Sequence, residues 1–137
     1  MSLAWQESWD EFVRTLAEQV RSGAVPSDLD AQFAGETVTW RGTLALKELE
    51  ETAPRVVIHL PAKRLKVGTA IAALGPLTLP VDRDAIEQWQ SRQVQARVTF
   101  DARFEARDTL LGGPVEVKLL ESGTVLVTIR LRDAVPR

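Results

Sequence analysis

The 137-residue sequence contains no cysteine, no tyrosine and a single histidine, His59. The absence of cysteine excludes disulfides, thiolate metal sites, iron–sulfur clusters and cysteine nucleophiles. A single imidazole excludes a histidine-rich metal site and leaves His59 as the sole candidate base for a Ser-His-Asp triad. We therefore expect neither a bound metal nor another cofactor.

Excess charge and long apolar segments are also lacking. The net charge is −2, so no global positive field attracts nucleic acid or an anionic membrane. Charged residues interrupt every stretch that approaches the roughly 20 apolar residues of a transmembrane helix, and the N-terminus lacks the basic and apolar regions of a signal peptide. The composition, 45% hydrophobic and 26% charged, is that of an ordinary globular domain. The sequence predicts one domain over residues 1–137, in a bacterial-type cytoplasm and with no membrane partner.

The first segment carries the clearest helical pattern. Its apolar side chains recur every three or four residues, which predicts an α-helix over about residues 3–22 that Gly23 and Pro26 terminate. The apolar stripe consists of Trp5, Trp9, Phe12, Val13, Leu16 and Val20. We expect this stripe to pack against the rest of the domain. The alternative is that Trp5 and Trp9 anchor a protein partner or a second copy of the chain, because tryptophan is a frequent interface anchor.

From Glu36 the pattern changes to the two-residue period of β-strands. A second strand is predicted over residues 55–60, and the segment 67–79 predicts either one broken strand or a tight hairpin. The residues of the first strand that are expected to face the core are Val38, Trp40, Gly42, Leu44 and Leu46.

A short helix is predicted to start at Asp82 or Asp84 and to bury Ala85, Ile86 and Trp89. The longest alternation follows over residues 93–107, and its mixture of small and large side chains suits a strand that coils around a barrel.

The C-terminal part predicts a hairpin of residues 115–119 and 124–131, followed by a tail that frays beyond Asp133. Its inward side chains are expected to be Val125, Val127, Ile129 and Leu131. Together the elements predict an α+β fold. In it, the N-terminal helix packs on a strongly curved, mostly antiparallel barrel of five or six strands over about residues 36–132, with the short helix between its halves.

Residues 33–44 follow the pattern F-x-G-x-x-V-x-W-x-G-x-L, which includes Phe33, Gly35, Val38, Trp40 and Gly42. This pattern resembles the opening of small bacterial OB-fold domains, particularly the tRNA-anticodon-binding-like group. The later order of strands, short helix and further strands is similar to the OB arrangement as well. The resemblance implies a barrel that closes through a bend at the glycine of its first strand and binds an extended ligand on an open face. The long N-terminal helix, an additional strand near residue 115 and the absence of outward aromatic residues depart from that pattern.

Residues able to carry catalytic chemistry are sparse. His59 is predicted on the outer face of a short strand, where a histidine is more often incidental than catalytic. Helix capping accounts for Asp82, Asp84 and Glu87 without a metal ion. The loop 112–114 is not followed by the helix and lysine of a phosphate-binding loop. The sequence therefore predicts that the protein is not an enzyme, and an enzyme that uses His59 is the last alternative.

Arginines are concentrated on predicted strand faces near the C-terminus. The residues concerned are Arg97, Arg103, Arg107, Arg130 and Arg132. If their strands are neighbours, the five guanidiniums line one groove that contacts phosphates. The competing interpretation is a solvated face on which Asp101 and Glu105 are cross-strand partners. Proteins that bind single strands also need aromatic platforms on this face, and the alternation turns the aromatic residues inward.

The leading hypothesis from the sequence is a non-catalytic binding module that contacts another protein or a second copy of itself through Trp5 and Trp9. The alternative is an OB-like oligonucleotide-binding domain that uses the five arginines, although the inward aromatic residues disfavour nucleic acid as the ligand.

Overall fold

The structure, a computed structural model, describes residues 3–50, 52–108 and 110–137, which form an α+β fold with mostly antiparallel sheets. This confirms the predicted fold class at that level. The helices are α1 (Ala4–Glu7), α2 (Trp9–Arg21), α3 (Pro26–Phe33) and α4 (Ile86–Gln90). The strands are β1 (Thr37–Glu48), β2 (Arg55–His59), β3 (Lys63–Val67), β4 (Ala70–Leu74), β5 (Leu77–Pro80), β6 (Arg97–Phe104), β7 (Val115–Leu119), β8 (Val125–Ile129) and β9 (Leu131–Pro136).

The predicted N-terminal helix is two helices, because the chain is extended at Ser8, with φ −143° and ψ 123°. The Ser8 hydroxyl accepts a hydrogen bond from the amide of Glu11 at 3.3 Å, so this residue caps the start of α2. A third helix, α3, follows the turn after α2 and begins with Pro26, which is well suited to a first helical position. None of the helices among the described residues has the length and apolarity to cross a membrane.

The main sheet has five strands in the order β5–β2–β1–β6–β9, and each neighbouring pair is antiparallel. Gly42 allows β1 to approach β2 closely, since a Cβ at this position would lie 2.6 Å from the backbone oxygen of His59. A bulge between Leu44 and Leu46 shifts the register of β1 against β2. The prediction that Leu46 faces the core is therefore wrong, and its side chain is 45% exposed.

The two edges of the five-stranded sheet meet at one point. Val81, just after β5, forms an isolated parallel bridge with Ala134 of β9, and the amide of Asp82 donates to the Ala134 carbonyl at 3.3 Å. A 3-10 turn (Arg83–Ala85) and α4 follow this contact and lead to β6. The indole of Trp89, buried as predicted, donates to the Ala134 carbonyl at 2.9 Å.

Both ends of the predicted strand 93–107 differ in the structure. Gln95 has a positive φ of 77°, which interrupts the extended chain, so β6 begins only at Arg97, and it ends at Phe104.

The prediction that the C-terminal tail frays beyond Asp133 is wrong. The tail is part of β9, Ala134 is fully buried, and the amide of Arg137 donates to the carbonyl of Thr99 at 2.7 Å. Pairing with β6 therefore orders the C-terminal residues.

The remaining strands form two separate hairpins, β3–β4 and β7–β8. Gly68, with φ +63°, lies in the turn between β3 and β4, so the first strand of this hairpin precedes the segment 67–79. The segment itself contains β4 and β5, which pair in different sheets, so the expected hairpin within it is not formed. The predicted hairpin near the C-terminus is confirmed as β7–β8, but it is shorter than expected. The chain leaves it after Ile129 and enters the main sheet at Leu131, so Val127 and Ile129 are only half-buried.

Glu51, at the end of the acidic run after β1, lies outside the described residues, as do Met1 and Ser2.

Aromatic rings join the N-terminal helices to the main sheet. The ring of Phe12, at the centre of this group, is fully buried, with centroids 5.0 Å from Trp40 and 5.7 Å from Phe104. The other members are Trp5, Trp9 and Phe33. The predicted packing of the apolar stripe against the rest of the domain is therefore confirmed.

Candidate binding surfaces

Trp5 and Trp9, the sequence-predicted anchors, are both buried in the core, each with 4% of its surface exposed. Trp5 packs edge-on against Phe33 at 5.0 Å, and Trp9 packs against Trp40 at 5.2 Å. The Trp9 indole also donates to the carbonyl of Pro61 at 2.8 Å. The anchor hypothesis is therefore corrected, because these contacts leave neither ring available to a partner.

The five candidate arginines do not line one groove. Arg97, Arg103 and Arg132 lie exposed on strands β6 and β9, and Arg103 is directly opposite Arg132. Arg107 and Arg130 lie outside the strands, because β6 ends at Phe104 and β9 begins at Leu131. The guanidinium of Arg107 pairs with Asp30 of α3, and that of Arg130 donates to the Gly113 carbonyl at 2.7 Å.

A carboxylate lies near two of the three arginines that remain on the sheet. Asp133 accepts from Arg103 at 2.7 Å and lies 3.4 Å from Arg132. Asp101, a predicted cross-strand partner, accepts from the guanidinium of Arg137 at 2.9 Å. Within the described residues, Arg97 has no carboxylate within 4.0 Å. This arrangement is close to the solvated face that the sequence offered as the competing interpretation.

His59 lies exposed on the outer face of β2, opposite Thr43 of β1, as its alternation in the sequence predicts. No group of three or more histidine, aspartate or glutamate side chains is arranged to hold a metal ion within the ranges that the structure describes. Neither observation points to a catalytic centre.

A short loop before β7 presents two leucines that the sequence analysis did not identify. Leu110 is 93% exposed and Leu111 is 61% exposed. We call residue 108 together with residues 110–112 the leucine loop. Its ends are joined by two backbone hydrogen bonds, from the Asp108 amide to the Gly112 carbonyl at 2.8 Å and in the reverse direction at 2.9 Å. The Asp108 carboxylate also accepts from the amides of Leu110 at 2.7 Å and Leu111 at 3.1 Å.

Charged groups hold the base of the leucine loop. The carboxylate of Glu116 accepts from the Gly113 amide at 2.8 Å, and Arg130 lies 3.7 Å from the same carboxylate. The amide of Gly113 and, to a lesser extent, the charge of Arg130 lower the pKa of Glu116. Hydrogen bonds from the two leucine amides likewise lower the pKa of Asp108. The hydrogen bond to Asp30 raises the pKa of Arg107, despite some desolvation.

The sequence contained a signal for this loop, because two adjacent leucines precede Gly112 and Gly113 and fit neither a helical nor a strand period. Gly112 has φ +99°, and a Cβ at this position would collide with the Glu116 carboxylate. The hairpin that follows exposes further leucines, namely Leu119, Leu120 and Leu126. Exposed apolar side chains are therefore concentrated in the segment between β6 and β9.

A cleft of about 790 Å³ lies where β5 approaches β9. Arg55 and Arg132 both line it, but each is near a carboxylate, Glu48 at 2.8 Å and Asp133 at 3.4 Å respectively. Glu105 and Asp82 also line this cleft, so its charge is mixed and selects no class of ligand.

Comparison of the chain with protein-family models, with curated proteins and with solved structures finds no match.

Proposed function

We propose that the protein is a non-catalytic binding module that contacts another protein through the leucine loop. The observation that carries this proposal is the exposure of Leu110 and Leu111, 93% and 61%, in a loop whose ends, Asp108 and Gly112, are joined by two backbone hydrogen bonds. Neither leucine contributes its apolar surface to the core. Burial of a leucine side chain by a partner is worth about 1.5–3 kcal/mol, and joining the ends of a loop reduces the entropy that it loses on binding.

The charges around the leucine loop favour a protein partner over an anionic membrane or a nucleic acid. The lowered pKa of Asp108 keeps a negative charge directly beneath the two leucines. The nearby cation of Arg107 is paired with Asp30. An anionic surface would therefore meet a carboxylate rather than an uncompensated cation, whereas an apolar pocket on a protein would accept the leucine side chains.

We also infer that the five-stranded sheet is an OB-like barrel. The support is its strand order, the parallel bridge of Val81 to Ala134 between its two edges, and α4 in the connection from β5 to β6. In this interpretation, the leucine loop and the β7–β8 hairpin belong to the connection between the fourth and fifth barrel strands. OB folds use that connection to bind ligands, so the fold and the exposed leucines favour the same region.

Site-specific photo-crosslinking tests the proposal in cells that produce the protein naturally. A photoreactive residue replaces Leu111 in one variant and Leu46, a 45% exposed leucine on β1, in a matched control. We expect a defined protein adduct from position 111 and none from position 46. The purified partner should then bind the Leu110→Asp, Leu111→Asp variant at least about tenfold more weakly than the unchanged chain.

The proposal is wrong if both positions give the same adducts or if the double variant retains full affinity for the crosslinked protein. Circular dichroism of the variant verifies that it is folded. If the adduct is a second copy of the chain, sedimentation of the purified protein must reveal a dimer that the double variant does not form.

Oligonucleotide binding is the second candidate, favoured by the shared face of Arg97, Arg103 and Arg132. Fluorescence anisotropy with labelled single-stranded DNA and RNA at two salt concentrations tests it. This candidate predicts an affinity that falls with salt and that the Arg97→Ala, Arg132→Ala variant loses. Absence of binding at low salt eliminates it.

A further inference from the structure

Two grooves meet beside α2, and the second of them borders the base of the leucine loop at Arg107 and Glu116. The first has a volume of about 690 Å³ and lies between α2 and the β3–β4 hairpin. The second has a volume of about 490 Å³ and lies between α3 and β7. Val20 and Val67 line both, so the two grooves adjoin at these side chains.

The two grooves differ in charge. Arg21, Arg64 and Lys66 line the first groove, and no carboxylate does. Within the described residues, none of these three cations has a carboxylate within 4.0 Å. Three cations without partners in a chain of net charge −2 form a local anion-attracting site. We call this the basic groove.

The second groove is mainly aliphatic, and we call it the apolar groove. Its apolar lining consists of Ala24, Pro26, Leu29, Val115 and Val117, besides the two shared valines. Its charged side chains have partners, since Arg107 pairs with Asp30 and Lys118 lies 3.6 Å from Glu116. The lining therefore changes from unpaired positive charge in the basic groove to hydrocarbon in the adjoining apolar groove.

We propose that the two grooves together bind one aliphatic anion. Its carboxylate or phosphate lies beside Arg21, Arg64 and Lys66, and its chain passes Val20 and Val67 into the apolar groove. This proposal does not rest on the protein contact proposed for the leucine loop, because its ligand contacts neither Leu110 nor Leu111. The volumes of about 690 and 490 Å³ are those of small-molecule sites rather than of the broad surfaces that bind proteins.

Calorimetric titration with single-chain amphiphiles below their micelle concentrations tests the proposal. From octanoate to dodecanoate, the affinity should rise about fourfold for each methylene, because each buried methylene adds a constant increment of free energy. At low salt, dodecanoate should bind about tenfold more tightly than dodecan-1-ol, which has the same chain and no charge. Dodecyl phosphate in place of dodecanoate distinguishes a phosphate from a carboxylate head group.

Two double variants separate the contribution of the head group from general charge effects. Arg64→Gln with Lys66→Gln should weaken dodecanoate binding about tenfold and leave dodecan-1-ol binding unchanged. Arg14→Gln with Arg41→Gln removes the same number of positive charges from outside the groove and should change neither affinity. Amide chemical shifts of Val20, Val67 and Val117 should move on titration of the unchanged chain.

Three results would overturn the proposal. The first is dodecan-1-ol binding as tightly as dodecanoate, and the second is chemical-shift changes confined to the leucine loop and the β7–β8 hairpin. The third is that none of the anionic amphiphiles binds at about 1 mM. Binding of an acidic amphipathic peptide in that case would assign the basic groove to a protein ligand.

Discussion

The aromatic core and the segment between β6 and β9 bury their apolar residues to very different extents. Every aromatic residue of the chain lies at or before Phe104, and the rings around Phe12 are almost completely buried. In the segment after β6 the apolar side chains are all aliphatic, and of these Leu110, Leu111 and Leu119 are each more than 60% exposed. The core is therefore held by burial of large rings, whereas the leucine loop is held by hydrogen bonds and ion pairs.

This difference assigns stability to the aromatic core and, under the proposed function, recognition to the leucine loop. Exposed apolar groups do not stabilise a fold, and they increase the risk of aggregation. A loop that nevertheless keeps two leucines in solvent, with Asp108, Glu116 and Arg130 bonded to its backbone or its base, is consistent with the protein contact that we propose. The comparison makes three predictions, and each of them separates the two regions by experiment.

Removal of a central core ring should have the largest effect. Phe12 is fully buried and packs against four other aromatic rings at centroid distances of 5.0–5.7 Å. Phe12→Ala should lower the free energy of unfolding by about 3–5 kcal/mol, measured by denaturation in guanidinium chloride. The matched truncation Leu126→Ala, at a side chain 51% exposed, should change it by less than about 0.5 kcal/mol. Similar losses of unfolding free energy in both variants would contradict the assignment of stability to the aromatic core.

A smaller effect is expected from the glycine that closes the leucine loop. Gly112→Ala places a Cβ at φ +99° and against the Glu116 carboxylate, which should cost about 1–3 kcal/mol. Gly75→Ala is the control, because a Cβ at Gly75 meets no atom within 4 Å. Hydrogen exchange should accelerate at Leu111 and Gly113 in the first variant while β1 and β6 remain protected. Uniform acceleration through the main sheet would mean that the loop and the core unfold together.

Sequence periodicity predicted the elements that bury one face. The alternation of β1 places Val38, Trp40 and Leu44 inside, as expected, and the helical stripe of α2 buries Phe12 and Leu16. These predictions succeed because the apolar side chains of a strand or helix are buried on the face that meets the core, and the sequence period shows which residues share that face.

The features that periodicity missed depend on single local interactions or on contacts distant in the sequence. Ser8 fits the helical pattern in the sequence, but in the structure the chain is extended there and the Ser8 hydroxyl caps α2. The bulge between Leu44 and Leu46 turns the Leu46 side chain away from the core, and no change in composition marks it. Arg107, next to the leucine loop, pairs with Asp30 across 77 positions of sequence. No local pattern contains such a pair, and the two leucines that fit no period do not by themselves show how far they are exposed.

Acidification should separate the two regions with the smallest perturbation. The pKa of Asp108 is lowered from its ordinary value of 3.8, mainly by the amide of Leu110, and that of Glu116 is lowered from 4.5, mainly by the amide of Gly113. Because folding depresses both pKa values, their stabilisation is complete above the ordinary values and is lost as the pH falls through the folded values. The core contains no buried charged residue among those that the structure describes, so it has no comparable titration.

In a pH titration from about 5 to about 2, the amide signals of Leu110, Leu111 and Gly113 should therefore shift at pH values below the ordinary 3.8 and 4.5 of these carboxyl groups, while those of the buried residues Val38 in β1 and Val98 in β6 stay unchanged. Asp108→Asn supplies the control, because an amide side chain does not titrate in this range. In this variant the two leucine amides should lose their pH dependence, while the response of Gly113 to Glu116 persists. If the amides of the sheet respond at the same pH as those of the loop, the carboxylates stabilise the whole fold and the leucine loop is not a separate unit.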